Sequence, residues 1–236
     1  MAGSSQRATP AQRREHRTTP AQGEETRVRL VETARELFAA RGYAGVSMEQ
    51  VCTGAEVTRG ALYHHFAGKD DLFRAVCENV AGTVTGQVIE AARSHSDAWP
   101  RLREGCQAFL VACSDQGVRQ ILLTDAPSVL GWAGFRELDA RHGLGLLRAG
   151  IQAAMDSGAV QAGPVDLVAH MLVAALDEAA MVVGRATEPE ATRQDAVLVI
   201  DRILTGIAGE HRPGNRLPCR RQGTRRCAAG KPAPPT

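Results

Sequence analysis

Between Glu56 and Phe73 the sequence concentrates five side chains that could do chemistry: one arginine, one tyrosine, two histidines and one lysine. Three kinds of site use such residues. A metal centre would use the imidazoles, a catalytic centre would use a histidine with the tyrosine, and a polyanion-binding surface would use the cations and the phenol. The spacing of the residues distinguishes these possibilities.

A metal or catalytic site needs groups that converge, and this stretch lacks them. The adjacent His64 and His65 would diverge by about 100° on a helix, and no third ligand is suitably spaced. A histidine–tyrosine pair would also need a nucleophile or a cleft, which three short helices hardly provide. We therefore predict no catalytic residue, no metal ligand and no cofactor. We interpret His65 as a structural histidine of the small bundle.

A helix that starts at Thr58 would instead separate the polar side chains from the apolar ones. Arg59 and Tyr63 are spaced i, i+4 on one face, while Leu62 and Phe66 lie on the opposite face. The polar face offers a forked cation and a phenol, which suit the phosphates and base edges of a nucleic-acid groove. Three short helices with a tight turn before the third indicate a helix-turn-helix unit at about 47–66.

Lys69 supports the same interpretation. It falls in the first turn of the next predicted helix, where a cation opposes the helix dipole by a few tenths of a kcal/mol. A phosphate bound near the same N–H groups would turn that conflict into an anion site.

Helical signals recur from about residue 24 to residue 208. Ser47 and Gln50 form a capping box, Thr58 is the next N-cap, and a fourth helix extends to about Ser94. Amphipathic segments follow at about 99–113, 115–123, 131–157, 164–186 and 188–208, with a bend expected at 125–127. No segment alternates as a sheet strand does. The predicted fold class is all-α, with a small N-terminal bundle joined to a larger helical domain.

The charge is distributed unevenly along the 236 residues. The chain has a net charge of +2, yet residues 1–23 carry +3 and residues 210–236 carry +6. These Pro/Gly/Ser-containing tails are either disordered solubilising ends or segments that make weak contacts with a polyanion.

The chain lacks the sequence signals of a membrane, secreted or zinc-binding protein. It has no uninterrupted apolar run of about 18 residues and no apolar secretory stretch near the N-terminus, so we expect a cytoplasmic protein without membrane contact. The six cysteines form no CxxC pair, and we interpret the four between 52 and 113 as small core residues.

The stretch ARELFAARGYAGVSMEQVCTGAEVTRGALYHHFAGKDDLFRAV closely resembles the N-terminal domain of TetR/AcrR-type transcriptional regulators. The resemblance covers roughly 24–83 without gaps. It rests on Leu37, Phe38, Gly42, Tyr43, Ser47, Leu62, Tyr63, His65, Phe66 and Lys69. Two positions depart from the usual family pattern: Glu56 replaces a glycine in the turn, and Cys52 replaces an alanine. Glu56 would strain the turn if its backbone were left-handed.

The resemblance implies DNA-binding roles for eight residues. Phosphate contacts are expected from Ser47, Thr58, Tyr63, His64 and Lys69. Close approach to base edges is expected from Arg59, Gly60 and Ala61.

A single unit of this kind buries too little surface for tight specific binding, so we expect a two-fold dimer on a palindromic operator. The resemblance places the dimer contact on the last two helices, about 164–208. The apolar residues of 197–207 cover more than one stripe, which favours a second buried surface. The alternative is that these helices are buried wholly within their own domain.

The family also implies a cavity for a small-molecule effector in the C-terminal domain. Candidate ligand-binding residues are Phe109, Trp132, Phe135, His142, Met155, His170, Met171 and Asp177. Two alternatives stay open. The stripe that contains Trp132 and Phe135 could be plain core, and His170 with Asp177 could form a hydrogen bond at the dimer seam.

We therefore expect a basic tail at 1–23, a DNA-binding domain at 24–83, a ligand-binding and dimerisation domain at 84–209, and a second tail at 210–236. The predicted function is a dimeric, sequence-specific repressor that a ligand releases from DNA. The alternatives are a helical binding protein or enzyme with a vestigial helix-turn-helix, and a ligand-independent or activating regulator.

Overall fold

The computed structural model describes residues 20–208. The predicted tail at 210–236 and residues 1–19 of the N-terminal tail lie outside the described residues. Between residues 20 and 208 the chain is built from helices, and this part contains no strand. The predicted all-α fold class is confirmed.

The N-terminal part begins with four helices: α1 (Pro20–Arg41), α2 (Met48–Gly54), α3 (Arg59–His65) and α4 (Lys69–Ala92). Helix α2 starts at the predicted capping box, in which the Gln50 N–H donates to Ser47 Oγ and the Ser47 N–H donates to Gln50 Oε1. Helix α3 starts at the predicted N-cap Thr58, whose Oγ1 accepts from the Ala61 N–H at 3.2 Å. Local capping chemistry therefore sets both helix starts.

The rest of the described chain forms α5 (Ala98–Ala112), α6 (Gln116–Val118), a π-helical turn (Arg119–Asp125), α7 (Ala126–Val129), α8 (Gly131–Arg141), α9 (Gly143–Asp156), α10 (Val165–Arg185) and α11 (Pro189–Ala208). Two predictions need correction. The segment 131–157 is two helices, because the backbone breaks at His142 (φ −111°, ψ −77°). The bend expected at 125–127 is instead a continuous passage from the π-helical turn into α7, since Pro127 lies in the first turn of α7, where its missing N–H is not needed.

The first hydrophobic core joins the N-terminal bundle to the helices that follow it. Its largest residues include Phe38 and Phe73, whose rings meet edge to face with centroids 5.1 Å apart. Tyr43 stacks on Phe38 at 5.8 Å. The same core contains Ile121 and Leu138, which come from the π-helical turn and from α8.

A second core is formed by α5, α9, α10 and α11. By length and composition alone α10 could span a bilayer. Its apolar sequence is interrupted by Asp177 and Glu178, and its inner face, which includes Leu172 and Leu176, is buried in this second core. Packing against neighbouring helices accounts for the apolar residues of this inner face.

Helix α4 connects the two parts of the fold. It is 24 residues long, which corresponds to about 36 Å. The boundary predicted after residue 83 falls inside this helix. Leu72 and Phe73 near its start belong to the first core, and its second half borders the C-terminal helices.

Candidate nucleic-acid interface

The turn between α2 and α3 contains a backbone conformation that L-residues rarely adopt. Glu56 has φ = +53°, and it is the one non-glycine residue between 20 and 208 with positive φ. The Val57 N–H donates to the Cys52 carbonyl at 3.0 Å and so closes the turn. The strain expected for a left-handed Glu56 is therefore present, at a cost of about 1–2 kcal/mol.

The polar face of α3 is directed to solvent. Leu62 and Phe66 are buried, whereas Arg59, Tyr63 and His64 are exposed. The Arg59 guanidinium lies 5.5 Å from the centroid of the Tyr63 ring, so the two side chains form one cation–π pair on that face.

The remaining predicted contacts flank this face. Gly60 is exposed and Ala61 half-buried on α3. Ser47 and Thr58 use their side-chain oxygens as N-cap acceptors, and each hydroxyl keeps its own O–H as a donor. Both are exposed. The Arg59–Tyr63 pair therefore shares this part of the fold with two small residues and two N-cap residues.

Lys69 is the first residue of α4, four residues after the end of α3. Its Nζ lies 4.0 Å from the centroid of the Tyr43 ring, and the Tyr43 hydroxyl donates to Asp70. Burial, followed by the hydrogen bond to Asp70 and its charge, raises the pKa of Tyr43 to about 12, so the phenol stays neutral. Gly68, the N-cap of α4, supplies no side-chain acceptor. The Lys69 ammonium group therefore lies near the N-terminus of α4, and this helix end has no side-chain cap.

The two histidines differ in exposure. His64 is exposed and His65 is half-buried, with ring centroids 5.2 Å apart. Among residues 20–208 there is no cluster of three or more histidine, cysteine or acidic side chains that could hold a metal ion.

The four cysteines of the described region are free thiols. Cys77, Cys106 and Cys113 are buried, and Cys52 is half-buried against the first core. Burial raises the pKa of each of the three buried thiols to about 12, so these thiols stay neutral. The interpretation as core residues is confirmed for these three cysteines, whereas Cys52 lies at the edge of the first core.

A second candidate site is an interior cavity of about 490 Å³, a size typical of small-molecule sites. It lies between α4, α5, the π-helical turn, α8, α9 and α10. Four predicted ligand-binding residues line it: Phe109, Phe135, His142 and Asp177.

The other four predicted ligand-binding residues lie elsewhere. Trp132 is 73% exposed, because it occupies the first turn of α8 and projects beyond the packed helices. His170 and Met171 are exposed on the outer face of α10, and the Arg136 guanidinium contacts His170 Nδ1. Met155 packs half-buried against the second core. Helical spacing alone did not distinguish these outer positions from inner ones.

Two carboxylates lie in the cavity wall. Asp139 on α8 accepts a hydrogen bond from Arg136 at 3.0 Å. Burial, and secondarily the negative charge of Asp139, raises the pKa of Asp177 on α10 to about 7, while Arg136 acts in the opposite direction. Burial likewise raises the pKa of Asp139, against the effect of Arg136 and His170.

Sequence reasoning missed Asp139 and the contribution of α4 to the cavity. Asp139 is spaced i, i+4 from Phe135, so the signal was present on the stripe already identified. On α4, Ala81, Val84 and Val88 line the cavity at helical spacing. His142 also connects the cavity to α4, because its Nε2 lies 2.7 Å from Glu78 Oε2.

Two family models match this chain. The model described as bacterial regulatory proteins, tetR family, matches residues 30–76, and the one described as tetracyclin repressor-like, C-terminal domain, matches residues 99–207. The crystal structure of a TetR-family transcriptional regulator from Pectobacterium atrosepticum is 31% identical, with a TM-score of 0.70. The alignment covers 82% of this chain and all of that one. The chain belongs to the TetR family of transcriptional regulators.

Two curated members extend this comparison. The TetC protein of transposon Tn10 from Escherichia coli is 25% identical over 143 residues, which cover 61% of this chain and 72% of TetC. The transcriptional activator FasR of Mycolicibacterium smegmatis is 33% identical over 104 residues, covering 43% of this chain and 48% of FasR. As a TetR-family regulator, the protein carries a DNA-binding helix-turn-helix within 30–76 and a helical C-terminal domain.

Proposed function

We propose that this TetR-family regulator is a dimeric repressor that binds a palindromic operator and leaves it when a small molecule fills the cavity. The observation that carries the proposal is the course of α4. Its first residue, Lys69, follows the end of α3 by four residues, and six of its residues between Ala81 and Ala92 line the cavity. One helix therefore leads from the recognition helix to the cavity, so a change at one site would affect the other.

The recognition face is proposed to enter the major groove. Arg59 would read a base edge with its guanidinium, and Gly60 and Ala61 would allow close approach of the backbone. The phosphate contacts would come from Ser47, Thr58, Tyr63, His64 and Lys69. The exposure of the α3 face and the buried Leu62 and Phe66 beneath it support this orientation.

A second copy of this chain is the proposed partner of α10 and α11. Both helices expose large apolar side chains on the surface away from the second core: Leu167, Met171, Val182, Leu198, Val199 and Ile203. Six such residues on two adjacent helices are more than scattered surface apolar residues explain. A two-fold contact through this surface would cover them and would set the spacing of two α3 helices.

A second connection also links the cavity to the DNA-binding part. Leu122 and Leu123 of the π-helical turn line the cavity. Asp125 at the end of the same turn accepts a hydrogen bond from the Tyr43 N–H at 2.7 Å, between α1 and α2. A ligand that displaced this turn would move the segment leading into α2. Isolated π-helical turns often occur at functional sites.

Selection of bound sequences from random duplex DNA tests the proposal directly. We expect a palindrome whose half-sites are about one helical turn apart, or a multiple of that spacing. Selection of single, unpaired half-sites would contradict the dimeric model. Failure to select any sequence would favour the alternative of a helical binding protein or enzyme with a vestigial helix-turn-helix.

Whether the protein represses or activates transcription needs its own measurement, because FasR is named an activator. We propose repression, and transcription in vitro from a promoter that carries the selected site tests it. Transcript levels should fall as the protein is added. A rise would establish the activating alternative.

A further inference from the structure

The cavity is elongated, and its two ends differ chemically. Lining residues run along α4 from Ala81 to Ala92, a distance of about 16 Å at 1.5 Å per residue. The Ala81 end meets α8 and His142, since the neighbouring Gly82 lies close to the His142 ring. Ser96 and Arg101 line the other end, and Arg101 is exposed.

The end near α8 has an excess of acid. Asp139 forms an ion pair with Arg136, with 3.0 Å between Nη1 of Arg136 and Oδ2 of Asp139. Glu78 of α4 is paired with both Arg141 and His142. Asp177, in contrast, is half-buried and has no hydrogen bond or ion pair within residues 20–208, although Arg136 lies near enough for its charge to act on the carboxylate. A partly desolvated carboxylate without a hydrogen-bond donor is unfavourable, so a cation supplied by a ligand would stabilise this end.

At the other end of the cavity, the charge of Arg101 favours a ligand anion only weakly. Arg101 is exposed to solvent, so water screens it, and its charge carries no comparable desolvation cost. A ligand anion would gain little from Arg101, whereas a ligand cation would gain the half-buried Asp177 carboxylate at the opposite end. The apolar walls between the two ends require the rest of the ligand to be apolar.

We propose that the cavity binds an elongated apolar molecule with a single basic amine, whose ammonium group lies against Asp177 and Asp139. This inference rests on the proposed function, because it names the chemical class of the effector. The ammonium group would donate hydrogen bonds to the Asp177 carboxylate, and the chain would extend along α4 toward Ala92.

The groups around Asp177 predict how binding depends on pH. Arg136 and Asp139 face it from α8, and the neutral thiol of Cys113 faces it from α5. Glu78 of α4 forms a separate cluster with Arg141 and His142 at the same end, and Arg119 of the π-helical turn donates to the Cys113 carbonyl at 2.7 Å. Because Asp177 has a pKa of about 7, it binds a proton below that pH and loses its attraction for a cation. Amine affinity should therefore fall from pH 8 to pH 6, and binding near pH 7 should release a proton.

Isothermal titration of the full chain, without DNA, tests the class of ligand. The probes are decylamine, decanol and decanoate below their micelle concentrations, because they share one chain and differ in the head group. We expect decylamine to bind roughly tenfold to a hundredfold more tightly than decanol, as a charge-assisted hydrogen bond implies. Decanoate should bind most weakly of the three.

Two variants locate the head group. Asp177→Asn should reduce decylamine affinity to that of decanol and leave decanol affinity unchanged, which also shows that the cavity still folds. Glu178→Gln is the matched control, because Glu178 is an exposed acid one residue away on α10, and it should keep the amine preference. Equal affinity for all three probes, or an amine preference that survives both Asp177→Asn and Asp139→Asn, would overturn the proposal. Tightest binding by decanoate, lost in Arg101→Ala, would replace it with an anionic ligand.

A gel shift on the selected operator separates this inference from the proposed function. Release of DNA by saturating decylamine supports both. An amine preference in titration without release from DNA upholds the site and contradicts ligand-controlled repression. An absent amine preference, with release of DNA by an uncharged or anionic probe, overturns the amine and upholds ligand-controlled repression.

Discussion

At the scale of single residues, two charged side chains are central to the proposed function: Arg59 on α3 and Asp177 on α10. Arg59 is exposed on α3 and stacks on Tyr63, which orients its guanidinium away from the core. Asp177 lies half-buried in the cavity wall without a hydrogen-bond partner in the described part of the chain. Both side chains are in positions that a ligand would complete, DNA for the first and a small molecule for the second.

Replacing Arg59 should affect sequence recognition. We expect Arg59→Ala to weaken operator binding by about 1–3 kcal/mol and to relax the preference at one base pair. A gel-shift titration against the operator and its single-base variants measures both effects. Arg93→Ala, an exposed arginine paired with Glu90 far along α4, should leave affinity unchanged.

Lys69→Ala should have a different effect from Arg59→Ala, because Lys69 is proposed to contact a phosphate and not a base. As a phosphate contact it should lower affinity for every duplex and reduce the slope of log K against log salt by about one. Unchanged operator affinity in Arg59→Ala would remove its assignment to a base edge, and an unchanged salt slope in Lys69→Ala would remove the phosphate contact.

Asp177 should make the free energy of unfolding depend on pH. Its folded pKa of about 7 lies above the usual 3.8, so the folded state is penalised as pH rises from 4 to 7, and the penalty is constant above pH 7. We expect Asp177→Asn to raise the free energy of unfolding at pH 8 by at most about 4 kcal/mol. The gain should shrink toward zero as pH falls to 4.

Thermal unfolding at pH 8 and pH 4.5 measures this change. Glu178→Gln again serves as the control and should shift neither midpoint. A gain of the same size at both pH values would show that ionisation of Asp177 is not its cause.

At the scale of elements, the turn between α2 and α3 positions the recognition helix under strain. Glu56 holds a left-handed backbone that glycine adopts without a Cβ penalty. Helix α3 has only seven residues, so its direction depends on this turn, on the Thr58 cap and on the buried Leu62. The strain in this turn is a cost to the stability of the fold.

Glu56→Gly should therefore stabilise the fold. Relief of the strain, less the greater flexibility of glycine in the unfolded chain, should add about 0.5–1 kcal/mol to the free energy of unfolding. Chemical denaturation measures it. Glu56→Ala is the matched control, because it removes the carboxylate but keeps Cβ, and it should bring no gain. Equal gains from both variants would assign the effect to charge and not to backbone strain.

At the scale of the whole molecule, the exposed apolar surface of α10 and α11 predicts assembly. Leu198 is 56% exposed and Met171 is 66% exposed, on the two helices whose other faces form the second core. Dimerisation through this surface would double the DNA contacts and so raise operator affinity, in the way that two linked sites do.

A charge placed in this surface should separate the subunits. We expect Leu198→Asp to yield monomers in analytical ultracentrifugation and to lower operator affinity at least tenfold, because a carboxylate buried in an apolar contact costs several kcal/mol. Val111→Asp is the matched control, since Val111 is equally exposed (54%) but lies on α5. If Leu198→Asp stays dimeric, the dimer contact lies elsewhere.

The sequence by itself determined the local features of this protein. The capping box at Ser47 and the N-cap Thr58 start two helices, and the opposite placement of Arg59 and Leu62 on α3 follows from helical periodicity alone. These features depend on residues within one or two turns of each other. The all-α class and the resemblance to a regulator family followed from them.

Only the tertiary structure decided which residues meet inside the C-terminal domain. Helical spacing placed Trp132 and Phe135 on one stripe, yet one is exposed and the other lines the cavity. Asp139 and Asp177 are 38 positions apart, and only the packing of α8 against the core brings them to one cavity end. The break at His142 and the course of α4 along the cavity were likewise decided by packing. Periodicity defines the faces of a helix, but burial depends on which neighbours cover each face, and those neighbours are distant in the chain.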